Sequence, residues 1–342
     1  MILPNTFFVA VFYFAILTAQ SSPISAIYEF PPSISLENLA IGPSINSILV
    51  TSDNTPSVYQ INIPTHPSSK VAALPIYTFP NATGLLGIVK YALNTYAIVV
   101  GNFSIADFGQ NTSFSIWSIT FPDDGSSQES GAAVKAHKIT DIAQARMLNG
   151  MTTLNEDPPT VLIADSLAGC VYRLHASTGK LEVVLEDETM KPGGAPEEPV
   201  SLRSVALNGI RKVTTMNDTY LYYSNSNKST INRVLIDPLS GYARGPYTTL
   251  TTTRELFSPD DLIYDYETGD VYFAGHMDNV IVRVSPNREG EETVVGNVTA
   301  PSSLVFGEGK KSRILYGTTA SETSDGIKKA GGRLVTVRID DL

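Results

Sequence analysis

Five polar residues stand where chemistry is possible: Glu37, Asn149, Asn208, Asp260 and His276. Three of them follow a leucine (Leu36, Leu148 and Leu207), and Asp260 follows Pro259. Two carboxylates with carboxamides between them offer hard oxygen donors, the kind that suits Ca²⁺ or Mg²⁺. On that reading Glu37, Asn208 and Asp260 are the candidate metal ligands. His276 is the candidate for proton transfer near neutral pH. Asn149, Asn208, Asp260 and His276 together form the candidate catalytic set. Each piece also has a plain reading. Asn149-Gly150 and Asn208-Gly209 are ordinary turn dipeptides, and so is Asp260-Asp261 after Pro259. His276 reads equally as an exposed or core-bonded histidine. Recurrence at one register of a repeat is what would favour function.

Other chemistries find no support. There is no G-x-S-x-G elbow, Walker loop, dinucleotide fingerprint or Cys/His zinc spacing. Cys170 is the single cysteine, so no intramolecular disulfide forms, and it reads as a small buried hydrophobe. His66, His137 and His175 fall in loops or third strands, and Trp117 reads as core between repeats.

The elements that must position these residues recur six times along the chain. Each unit opens on a short strand, continues with an apolar strand such as Thr160-Val-Leu-Ile-Ala164 or Asp270-Val-Tyr-Phe-Ala274, and adds a third, alternating strand. Units of this length with several strands each predict an all-β, six-bladed β-propeller in one domain. The C-terminal strand near Leu334 is expected to share a sheet with Ile27-Tyr-Glu-Phe30, closing the ring. Glu37, Asn149, Asn208 and Asp260 open first strands, and Asn102, Asp165, Asn225 and His276 close second strands. Antiparallel pairing predicts all eight at one mouth of the central channel. Stretches 123–133 and 187–198 are expected to be loops, and Lys310-Lys-Ser-Arg313 a solvated turn.

The 342 residues are 42% hydrophobic and 17% charged, enough for a packed core. Residues 1–26 read as a signal peptide: Phe7 to Leu17 is an apolar run of h-region length, with small residues after it. Cleavage is expected between about Ala19 and Ala26, leaving residues 27–342 as the propeller, secreted or held in the secretory lumen without a membrane span. A signal anchor is the competing reading. Six N-x-S/T sequons, at Asn81, Asn102, Asn111, Asn217, Asn227 and Asn297, are candidate glycosylation sites. A glycan on Asn102 would crowd the mouth, so its two readings conflict. The net charge of −10 disfavours nucleic acid and anionic membranes as partners.

Several pieces carry a family resemblance: Leu148-Asn-Gly-Met-Thr-Thr-Leu154 before Leu162-Ile-Ala-Asp-Ser166, Leu207-Asn-Gly-Ile210 before Leu221-Tyr-Tyr-Ser-Asn225, and Ser258-Pro-Asp-Asp-Leu262 before Val271-Tyr-Phe-Ala274. They resemble the regucalcin, gluconolactonase and strictosidine-synthase-like group of six-bladed propellers. In metal-dependent lactonases of that group, the resemblance puts the cation on Glu37, Asn208 and Asp260 and the substrate near Asn149. Two positions depart from the pattern: Asn38-Leu39 follows Glu37, and Asp261 stands where a P-D-G glycine is usual. The phrasing of Leu85-Leu-Gly-Ile88, Gly101-Asn102, Phe114-Ser-Ile-Trp117 and Met190-Lys-Pro192 resembles a fungal secreted branch. That branch includes hetero-Diels-Alderases of polyketide-terpenoid pathways.

The resemblance therefore implies a pericyclase that binds an apolar small-molecule substrate and needs no cofactor. It would join a quinone-methide-type diene to a terpenoid alkene, with Asn149, Asn208 or His276 donating hydrogen bonds to the diene carbonyl. Asp260 or His276 would assist loss of water. A divalent-cation-dependent lactonase and a non-catalytic ligand-binding propeller are the alternatives.

Overall fold

Runs such as Val161-Leu-Ile163 and Val280-Ile-Val282 are β-branched and apolar, and pleated strands buried on both faces select such residues. In the computed structural model they form six four-stranded antiparallel sheets. The structure describes residues 24–44, 46–64, 70–104, 112–122, 134–194, 201–253, 258–288, 291–308, 313–324 and 327–339. The 123–133 excursion, Asn111 and most of the 1–26 leader lie outside them.

The chain is a six-bladed β-propeller. Its innermost strands are Leu39–Ile41, Gly84–Ala92, Leu148–Glu156, Leu207–Thr214, Pro259–Tyr264 and Pro301–Phe306, and each touches the next around the ring. Blades one to five run outward in chain order. Beyond the three strands read from each unit, a fourth, outer strand completes every blade. Blade six takes its outer strand from the other end of the chain: Ile24–Glu29 pairs with Arg333–Arg338, Tyr28 opposite Leu334. The ring closes as expected, although this strand begins at Ile24, ahead of residue 27.

Side chains pack between blades rather than around one centre. Leu154, Leu162 and Val171 of blade three meet Leu207, Ile210 and Tyr223 of blade four, all fully buried. Each such aliphatic side chain contributes roughly 1.5–3 kcal/mol relative to exposure. Cys170 is buried, and Trp117 packs edge-on to Phe79 between blades one and two. Arg313 departs from the expected solvated turn, because it pairs with Asp265 and Glu267 of blade five. Among the described residues no helix is long and apolar enough to cross a membrane.

Candidate functional site

Each innermost strand carries one extra residue near its start. Leu85 to Ile88 opposes Val100 to Ile98, and Leu148 to Met151 opposes Asp165 to Ile163. Leu207 to Ile210, Pro259 to Leu262 and Pro301 to Ser303 shift in the same way. In blade one, the Glu37 amide donates to the Thr51 carbonyl while the Thr51 amide donates to that of Asn38, again two residues against one. Such a β-bulge re-aims the side chain at the insertion. Asn149-Gly150 and Asn208-Gly209 are therefore bulges within strands, and the turn reading falls.

The residue pairs so aimed repeat around the ring. Glu37, Leu86, Asn149, Asn208 and Asp260 reach a cavity of about 370 Å³. The residues after them, Gly87, Gly150, Gly209 and Asp261, crowd the channel below. A Cβ at Gly150 would lie 2.6 Å from the Asn208 carbonyl oxygen, and one at Gly209 would lie 2.4 Å from Asp261 Oδ1. Only glycine lets these backbones approach so closely. Hydroxyls on second strands then fix neighbouring blades. Thr51 donates to the Leu86 carbonyl (2.7 Å), Thr318 to that of Glu37 (3.3 Å), and Ser224 to that of Asp260. Asp261, absent from the expected site, ties the floor together by accepting from Asn38 (3.3 Å), Ser303 (2.5 Å) and Arg211 (3.4 Å).

Of the eight residues expected at the mouth, Glu37, Asn149, Asn208, Asp260 and His276 line the cavity. Asn102, Asp165 and Asn225 do not. The Asp165 carboxylate accepts from the backbone amides of Arg146, Met147 and Ala168, shaping a loop. The Asn225 carboxamide donates to the carbonyls of Thr189 and Lys191. Asn102 lies exposed on the flank of blade two, so the conflict over its sequon disappears. The error was one of register. The cavity takes the residue just past the second strand: Ser226 after Asn225, His276 after Gly275, Ala320 after Thr319. Applying the blade-five offset to blade four would have found Ser226. Phe103, Met147, Val205 and Met277 add apolar side chains to the lining, and Asp53, Ser35, Ser258, Ser321 and Thr323 add polar ones.

Burial dominates the electrostatics. It pushes the Glu37 carboxyl well above the usual carboxylate range, and the charges of Asp260, Asp53 and Asp261 add to this. Burial and then Asp261 raise Asp260 likewise, against a side-chain hydrogen bond from Asn208. Both acids are thus biased toward the protonated, proton-donating form. Burial lowers the basicity of His276, whose Nδ1 lies 3.2 Å from the Pro301 carbonyl oxygen and 3.6 Å from Asp260 Oδ2. A carbonyl only accepts, so Nδ1 carries the proton of the neutral ring and Nε2 keeps its lone pair. Neutral His276 is consequently an acceptor rather than the donor expected.

Glu37, Asn208 and Asp260 also form a hard oxygen set from three blades. They suit a divalent cation in donor type. Among the described residues, no group of three or more His, Cys, Asp or Glu is arranged to hold one, so the Asn208 carboxamide would be required.

No family model matches the chain. It is similar to a Phoma sp protein provisionally named a hetero-Diels-Alderase, with 23% identity over 321 residues and 86% of each chain covered. Its fold is shared by a luciferin-regenerating enzyme (TM-score 0.60, 15% identity, 92% of this chain and 94% of that one). It is shared as well by regucalcin, a calcium-binding protein of Agrobacterium tumefaciens (TM-score 0.55, 14% identity, 91% and 92%).

Proposed function

We propose that this propeller is an enzyme of the hetero-Diels-Alderase kind, joining a quinone-methide-type diene derived from a polyketide to a terpenoid alkene. The observation that carries the proposal is the convergence on one cavity of two carboxyls, Glu37 and Asp260, that burial shifts toward the protonated form, His276, shifted toward its neutral form, and the apolar side chains of Leu86, Phe103, Met147, Val205 and Met277. The provisional name of the Phoma sp relative supports the same reading.

The diene would arise from a hydroxymethyl enol by loss of water. The Asp260 carboxyl protonates the leaving hydroxyl as its C–O bond breaks, and His276 Nε2 takes the enol proton. Water, the methide, a carboxylate and an imidazolium result, and return of the Nε2 proton to Asp260 by way of water resets the site with Nδ1 still protonated. The methide carbonyl then accepts hydrogen bonds from Glu37 and from the Asn149 or Asn208 carboxamide, which lowers the barrier to addition. Phe103, Met147 and Met277 hold the alkene against the diene, and this positioning supplies most of the rate. A volume of about 370 Å³ lies within the range of small-molecule sites.

The test is to incubate purified protein with a hydroxymethyl-tropolone, or a related quinone-methide precursor, and a humulene-type alkene. Faster formation of one stereoisomer, unchanged by chelator, is expected. Chelator-sensitive opening of lactones with no cycloadduct would replace the proposal with the second reading. That reading, a cation-dependent lactonase, is favoured by the shared placement of Glu37, Asn208 and Asp260 and by the fold shared with a calcium-binding protein. A cation there would polarise the ester carbonyl. Added Ca²⁺ would then raise the melting temperature in the parent but not in Glu37→Gln.

A further inference from the structure

A second hollow, of about 410 Å³, lies on the flank of blade two, apart from the channel cavity. Two sequon asparagines, Asn81 and Asn102, open onto it, and both are exposed. Strand register places Asn102 opposite Ser113 and Ile98 opposite Trp117. Sheet alternation therefore sets Asn102, Val100, Ser113, Ser115 and Trp117 on one face. Trp117 is half-buried, and its indole Nε1 donates to Ser115 Oγ at 3.1 Å, fixing the ring along the floor. Lys138 and Asp141, ion-paired at 2.9 Å, form the far wall.

We propose that this hollow is the bed of an N-glycan carried by Asn102. Four residues of strand separate Asn102 from the row of Trp117, about 13 Å. Two linked pyranose rings extending from the asparagine side chain cover that distance. The first ring then meets Ser113 and the Lys138 and Asp141 pair with its hydroxyls, while a C–H face of the second packs at the Trp117 indole beside the Lys138 ammonium that overlies it. Aromatic rings that combine an apolar face with a polar edge suit such mixed surfaces. In an unglycosylated chain the Lys138 side chain, its ammonium 5.8 Å from the centroid of the Trp117 ring, is the cover this wall offers the indole. The inference rests on entry of the chain into the secretory pathway and is independent of any catalytic activity.

Trp117 is the single tryptophan of the chain, so emission excited at the long-wavelength edge, where tyrosine does not absorb, reports on this hollow. The protein is expressed in a eukaryotic secretory host, and site occupancy is measured by peptide mass. The parent is compared with Asn102→Gln and Asn81→Gln, and with parent treated by an amidase that removes whole N-glycans. Circular dichroism selects variants that keep the fold. Removing the Asn102 glycan is expected to shift Trp117 emission to longer wavelength and to increase quenching by acrylamide, while Asn81→Gln leaves both unchanged. An empty Asn102 sequon in secreted protein overturns the proposal. So does identical quenching with and without its glycan, or a response to Asn81→Gln alone.

Discussion

His276 Nδ1 donates to the Pro301 carbonyl oxygen at 3.2 Å, a contact between the rim of blade five and the opening of blade six. It commits the neutral ring to one tautomer and so decides which way His276 can move a proton. His276→Ala removes both the contact and the base. His276→Asn restores a donor for Pro301 without supplying a base. Water loss from the hydroxymethyl precursor is expected to slow about 10²-fold or more in both variants. Addition of a methide generated separately should fall much less. Full recovery of precursor turnover in His276→Asn would show that the contact is structural and the base lies elsewhere.

Burial raises the Asp260 pKa above its ordinary value of about 3.9, favouring the protonated form. The unfolded chain gives up this proton as pH rises through that value while the folded chain keeps it, so the group costs stability at neutral pH. Asp260→Asn should therefore melt higher than the parent at pH 7, by roughly 2–5 °C, with the gap closing as pH falls below about 3.9. His276 has the opposite sign. Its neutral form is favoured by burial, so its contribution is lost as pH falls through about 6.5. Thermal melts across pH 3–8 on the parent, Asp260→Asn and His276→Asn separate the two.

The catalytic consequence of Asp260→Asn distinguishes the two enzyme readings. A carboxamide keeps the shape and the hydrogen bonding but cannot protonate a leaving group. Precursor turnover should fall about 10²-fold, with substantial addition of preformed methide remaining. A cation-dependent lactonase would instead lose ring opening altogether. Rates on both substrate classes, with and without chelator, decide between them.

Gly209 has no room for a side chain, because an added Cβ would lie 2.5 Å from the Asp261 Cα. Backbone cannot swing aside as a flexible side chain can. Gly209→Ala is expected to destabilise by about 2–4 kcal/mol or to yield no folded protein. Gly194→Ala, where nothing lies within 4 Å, tests the opposite case. Its positive φ of 80° still makes it mildly unfavourable, on the order of 1 kcal/mol. Chemical denaturation of the two variants compares a steric cost with a purely conformational one.

Ile24–Glu29 is the outer strand of blade six and the clasp of the ring. Signal cleavage that preserves it falls before Ile24, within the window of small residues that begins near Ala19. Mass spectrometry of secreted protein should find the mature terminus between residues 20 and 24. A chain beginning at residue 30 leaves Arg333–Arg338 as an unpaired edge, and is expected to melt far lower and to aggregate.

Much of this architecture was legible along the chain, because strand chemistry is local. Alternation, β-branched runs and a repeating unit are properties of neighbouring residues, so the six blades and the sharing of one sheet by the strands near Ile27 and Leu334 could be read without coordinates, although the register of Tyr28 on Leu334 could not. The candidate residues Glu37, Asn149, Asn208 and Asp260 were legible for the same reason, since they stand one place after the residue that opens each inner unit. Tertiary structure alone decided the rest. A single inserted residue turns Asn149-Gly150 from a turn dipeptide into a bulge that aims into the cavity. A one-residue offset admits Ser226 and His276 while sending Asn225 to the Thr189 and Lys191 carbonyls. Asp261 lies 223 residues from Asn38 yet binds it across the channel floor. Protonation of Glu37 and Asp260 and the tautomer of His276 depend on burial and on partners from other blades. Period and propensity fix what each segment becomes. Only closure of the ring determines which distant groups share one desolvated space, and with it the charge that each carries.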